Sequence, residues 1–137
     1  MAYEFTGIFA SPAMDRPTDL PDWATWKQIN DPFVGVGVKV PDRDGTPTEK
    51  SEDEVLDLLR QLGLSNAQRW IYLHYVCWGG TIDFVFGLGS RDGTSFGPVE
   101  EDSLSKVDRV FTDLMNQFGV SLSEGGYFEP FVRGYWD

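Results

Sequence analysis

Residues 70–89 read WIYLHYVCW-GG-TIDFVFGLG, and how this stretch pairs with itself decides the fold. Trp70 to Trp78 is rich in aromatic and β-branched residues, while Ile82, Phe84, Phe86 and Leu88 alternate along the segment that follows, so both read as strands. Gly79-Gly80 between them suits a two-residue primed turn. That turn predicts the pairs Cys77 with Ile82, Tyr75 with Phe84, Leu73 with Phe86 and Ile71 with Leu88, which places the large apolar residues on one face of a hairpin.

Outward from the hairpin, a helix and a further strand are expected on each side. Ser51 to Leu64 carries an S-x-x-E capping box at Ser51 and Glu54, apolar residues Val55, Leu58, Leu59 and Leu62 at helical spacing, and Gly63 as a terminator. Ser103 to Phe118 repeats the pattern with Val107, Val110, Phe111, Leu114 and Phe118 before Gly119. Phe33 to Val40 alternates through Val34, Val36, Val38 and Val40, and Tyr127 to Trp136 reads as a closing strand in which Pro130 fits an edge position. Each helix is preceded by the same tetrapeptide, Arg43-Asp44-Gly45-Thr46 and Arg91-Asp92-Gly93-Thr94. The chain therefore reads as a duplicated β-α-β unit. This order predicts an α+β, ferredoxin-like β-α-β-β-α-β sandwich, with a four-stranded antiparallel sheet and both helices on one face. Residues 1–137 form a single domain in this reading, with 1–32 an N-terminal extension packing on a duplicated core of 33–137. Within the extension Tyr3, Phe5, Gly7 and Phe9 alternate and can add a strand.

Composition narrows the function classes. Eleven Lys and Arg stand against 22 Asp and Glu, a formal net charge of -11, which opposes nucleic-acid phosphates and anionic membranes. No stretch approaches the roughly 20 apolar residues of a membrane span, and the opening residues lack a basic segment followed by an apolar one. The single cysteine, Cys77, forms no internal disulfide and suits the reducing cytoplasm, the expected location.

In the expected hairpin register the sheet face away from the helices displays Trp70, Tyr72 and His74 beside Asp83, with Glu129, Phe131 and Arg133 from the closing strand. An aromatic face of this kind needs a cover: the N-terminal segment through Trp23 and Trp26, a homodimer through the sheet face, or a ligand. Those seven residues form one candidate pocket, in which His74 and Asp83 could serve general base chemistry. His74, Asp83 and Glu129 show no metal-ligand spacing, Asp42-x-Asp44-Gly45 departs from a calcium loop, and Gly35-x-Gly37 and Gly87-x-Gly89 lack the third glycine of a dinucleotide site. Neither metal nor cofactor is expected, and no catalytic residue is assigned.

The second candidate surface consists of the two Arg-Asp-Gly-Thr loops and the acidic run near the second helix: Arg43, Asp44, Arg91, Asp92, Glu100, Glu101 and Asp102. Acidic charge, small size and abundant aromatic anchors point to a non-enzymatic domain that binds a basic protein, of the inhibitor or immunity type that neutralises a basic toxin or enzyme. The alternative is a small-molecule binding protein or cofactor-free enzyme using the aromatic sheet face.

Overall fold

Strand β1 (Ala2–Ser11) carries Phe5 and Phe9 toward one side and Ile8 and Ala10 toward the other, and all four are buried. A strand apolar on both faces must lie inside a sheet that is covered on both faces, and the computed structural model places it there. The structure describes residues 2–11, 22, 24–30, 33–40, 50–78 and 81–122. After β1 come β2 (Thr25–Ile29), β3 (Gly35–Lys39), helix α1 (Glu52–Gln61), β4 (Arg69–Trp78), β5 (Thr81–Arg91), β6 (Thr94–Glu101) and helix α2 (Val107–Phe118). The protein is α+β, with the six strands in one open antiparallel sheet of order β2-β3-β1-β4-β5-β6.

The helices lie on opposite faces of this sheet. Val55, Leu58 and Leu59 of α1, with Leu62 at its C-cap, pack with Ile8, Ala10, Val36, Val38, Trp70, Tyr72, Phe86 and Leu88. Val107, Phe111, Leu114, Met115 and Phe118 of α2 pack with Phe5, Phe9, Ile71, Leu73, Tyr75 and Val85. Neighbouring residues of β1 and β4 thus enter different cores. The four-stranded sandwich with both helices on one face is corrected accordingly: residues 2–11 lie inside the sheet, where β1 pairs with both β3 and β4. The expected closing strand, 127–136, lies outside the described residues.

The hairpin register also changes. Cys77 pairs with Ile82 as expected, but the next pair is Val76 with Phe84, so Asp83 is an extra residue on β5. Beyond this bulge Tyr75 faces Val85, Leu73 faces Gly87 and Ile71 faces Gly89. The shift turns Phe86 and Leu88 toward α1 and leaves glycines beneath α2, where space is short. A Cβ on Gly87 would lie 2.8 Å from Leu114 Cδ1, and one on Gly89 would collide with the Phe96 ring.

The second Arg-Asp-Gly-Thr joins two strands rather than a strand and a helix. Arg91 pairs with Thr94, and Asp92 (φ 52°) and Gly93 (φ 85°) form the two-residue loop between them. Positive φ at both positions matches the primed turn that follows the twist of a hairpin, and Asp-Gly supplies it at low steric cost. The expected second β-α-β unit therefore contains an additional strand, β6, before its helix. Arg43-Asp44-Gly45-Thr46 lies outside the described residues, as do Gly79 and Gly80.

Both helix ends follow local chemistry. At the start of α1, Ser51 N–H donates to Glu54 Oε1 at 3.0 Å and Glu54 N–H donates to Ser51 Oγ at 3.2 Å, completing the expected capping box. These Ser51 contacts hold the exposed Glu54 carboxyl below its ordinary pKa, the backbone N–H contributing most. α2 begins one turn later than expected, at Val107, after a turn in which Lys106 N–H and Val107 N–H both donate to Ser103 O. It ends at Gly119, whose left-handed φ of 110° lets the N–H of Val120 return to Met115 O.

Two unfolding measurements test this account. Phe9→Ala, which empties a site in the α2-side core, is expected to cost about 3–5 kcal/mol in urea titration, whereas Ser51→Ala costs about 1 kcal/mol. A depressed folded-state pKa means that the Glu54 contribution is present above its unfolded value and is lost as pH falls through the folded one. Glu54→Gln is accordingly less stable than the parent at neutral pH, and the difference closes as pH drops below the usual carboxylate range.

Candidate functional site

β6, the edge strand of the sheet among the described residues, positions most of the expected partner surface. Arg91 and Asp92 stand at the turn that opens it, and Glu100, Glu101 and Asp102 stand at and just beyond its far end. Glu101 is half-buried: its Oε2 accepts the N–H groups of Asp102 and Ser103, each at 3.2 Å, and so shapes the turn into α2. Glu100 and Asp102 are exposed. Arg43 and Asp44 lie outside the described residues, so the expected pairing of the two loops reduces to one loop here.

This edge is guarded against strand addition. Gly97 and Pro98 together oppose Leu88 alone between the pairs Gly89–Phe96 and Gly87–Val99, which bulges the strand. Pro98 contributes no N–H, and the adjacent carboxylates discourage a flat neighbouring strand. A partner is therefore met by side chains. Leu104, 63% exposed, and Val99, 38% exposed, stand out from the same segment; nothing in the local sequence marks either as exposed. Between residues 99 and 113 five acidic side chains face two basic ones, Lys106 and Arg109.

A second group gathers where the β5–β6 turn meets the end of α2. Arg69 and Arg91 are cross-strand partners on the α2 side of the sheet. The Arg69 Nη1 donates to Phe118 O at 3.2 Å and Gly119 O at 3.4 Å, and its Cζ lies 5.3 Å from the centre of the Phe118 ring. A guanidinium there satisfies terminal carbonyls and complements the negative end of the helix. The Arg91 side chain has no hydrogen-bond or ion-pair partner among the described residues. With Asp92, Thr94, Ser95, Phe96 and Gln117 it lines an open cleft of about 380 Å³.

The aromatic candidate pocket is placed differently. Trp70 and Tyr72 are buried beneath α1, so the face expected to stand open carries a helix, with Trp26 half-buried against the same core. A homodimer through the sheet gains no support, since each face holds its own helix. His74 is 6% exposed and does not use Asp83. Its Nδ1 lies 2.8 Å from Thr6 Oγ1, its Nε2 lies 3.8 Å from Glu4 Oε1, and the Phe84 ring tilts over it at 5.7 Å. The imidazole thus stands between a hydroxyl and a carboxylate, but Thr6 is itself buried on the central strand, and the arrangement ties β1 to β4. Glu129, Phe131 and Arg133 lie outside the described residues. Among the described residues no His, Cys, Asp and Glu cluster could hold a metal, and no helix is long and apolar enough to cross a membrane.

Comparison with protein-family models, curated proteins and solved structures finds no match for this chain. The chemistry of these side chains is what remains to indicate a function.

The Thr6–His74 contact gives a direct test of its structural role. Thr6→Val leaves a buried ring nitrogen unsatisfied and is expected to cost about 1–3 kcal/mol in urea unfolding. Thr6→Val combined with His74→Leu removes both partners and is expected to cost less than the sum of the two single changes.

Proposed function

We propose that the protein is a non-enzymatic binding domain that meets a basic protein partner through the β6 edge and the turn into α2, in the manner of an inhibitor or immunity protein covering a cationic active surface. The observation that carries this reading is the placement of Leu104 and Val99, two exposed apolar side chains, among Glu100, Glu101 and Asp102. An apolar anchor within a charged rim is the pattern of a specific interface: the anchor supplies burial, and the rim supplies orientation and encounter rate. The net charge of -11 extends that attraction beyond the contact itself.

The guarded edge supports the same reading. Because the β6 bulge and Pro98 disfavour added strands, recognition rests on side-chain complementarity to a basic surface. The aromatic sheet face lends no comparable support to a small-molecule enzyme, with Trp70 and Tyr72 in the core.

Immobilised protein incubated with host extract is expected to retain basic proteins at low salt and release them at about 0.5 M salt, where screening is nearly complete. Glu100→Lys, Glu101→Lys and Asp102→Lys together abolish this retention, and Leu104→Ala weakens it without changing the salt dependence. Retention of no basic protein, or equal retention by the charge-reversed variant, contradicts the reading.

A further inference from the structure

The cleft between the β5–β6 turn and the end of α2 combines opposite charges over an aromatic floor. Arg69 and Arg91 face each other across two strands, and both guanidinium carbons lie within 3.5 Å of the point that a Cβ on Gly119 would occupy. Two positive groups thus crowd one helix C-terminus. Arg69 is committed to the Phe118 and Gly119 carbonyls, whereas Arg91 keeps its hydrogen-bonding capacity unspent among the described residues. Like charges held directly opposite one another raise the free energy of a sheet unless something compensates them, and the helix end supplies only about half a unit of negative charge. The spot therefore favours a further negative group.

A bare anion is a poor candidate to supply it. Asp92 lines the same cleft, and the whole molecule carries -11, so a phosphate or dicarboxylate meets repulsion both locally and at long range. A simple cation meets the two arginines. A ligand with no net charge but one separated charge of each sign is indifferent to the long-range field and matches both local ones. We propose that this cleft binds small zwitterions of the α-amino acid type, with the carboxylate on the Arg91 guanidinium, the ammonium on the Asp92 carboxylate and an apolar side chain over the Phe96 ring.

The surrounding groups suit that role. Phe96 is half-buried, its ring fixed above Gly89, so it presents a preformed surface. Gln117 donates its Nε2 to Asp113 O at 3.4 Å, which leaves the amide oxygen able to accept from an ammonium. The volume of about 380 Å³ falls near the lower end of the roughly 300–1,000 Å³ of small-molecule sites. Arg91 and Asp92 also belong to the expected partner surface, but the test of that reading lies at the other end of β6, so the two can fail separately.

The test is a titration of the 15N-labelled full chain with L-phenylalanine, followed by amide chemical shifts, alongside N-acetyl-L-phenylalanine, which lacks the ammonium, and phenethylamine, which lacks the carboxylate. Phenylalanine is expected to give saturable shifts at Arg91, Thr94, Phe96 and Gln117, and each analogue to bind about tenfold more weakly or worse, the cost of one charge-assisted hydrogen bond. Arg91→Gln and Asp92→Asn, both exposed and the latter compatible with the turn, are expected to weaken phenylalanine by a similar factor. The Glu100→Lys, Glu101→Lys, Asp102→Lys variant binds it as the parent does. No saturable shift, shifts unchanged by Arg91→Gln, or N-acetylphenylalanine binding as tightly as phenylalanine would overturn the proposal.

Discussion

Everything in this molecule depends on β1 being buried from both sides. Phe5 and Phe9 stack at 5.3 Å in the core beneath α2, while Ile8 and Ala10 enter the core beneath α1, and the backbone between them pairs with both β3 and β4. One strand therefore belongs to two hydrophobic cores at once. A slip of one residue would exchange every one of these side chains, moving phenylalanines to where Ala10 and Ile8 fit and small groups to where rings are needed. The register is held at the same time by the Thr6–His74 contact, which joins β1 to β4 through side chains. Both helices, and hence the β6 edge and the cleft beside α2, take their positions from this central strand.

Local signals in the sequence were accurate, and the long-range assignment was not. The Ser51–Glu54 box, the apolar faces of both helices, the Gly119 terminator and the Cys77–Ile82 pair all follow from chemistry within a few residues. The opposite placement of the helices was legible in principle: β1, β3 and β4 are apolar at consecutive positions, as strands buried on both faces are. The Asp83 bulge left no comparable trace, because a bulge depends on which residues must fit beneath α2, and that is fixed by tertiary packing. β6 was hidden for a different reason. Gly97 and Pro98 interrupt any alternation, and the repeated Arg-Asp-Gly-Thr resembles a duplicated unit although Asp92-Gly93 is itself a strong hairpin turn.

The candidate sites divide in the same way. Charge is legible from composition, so Glu100, Glu101 and Asp102 could be named from the chain alone. Exposure is not: Leu104 and Val99 become anchors only once β6 is seen as an edge, and Gln117 joins Arg91 only because α2 ends beside the β5–β6 turn. His74 illustrates the converse. Its place beside Asp83 follows from a register that the bulge removes, and its true neighbours come from a strand that the hairpin alone could not place.

Native-state hydrogen exchange along β1 tests the central position of this strand most directly. A strand shared by two cores can open only when both come apart, so the amides of Phe5 to Ala10 should exchange with the free energy of global unfolding, together with those of Ile71 to Tyr75 in β4. Exchange of the β1 amides by local opening, while the β4 and β5 amides remain protected, would contradict it and return residues 1–32 to the role of an extension on an independent core.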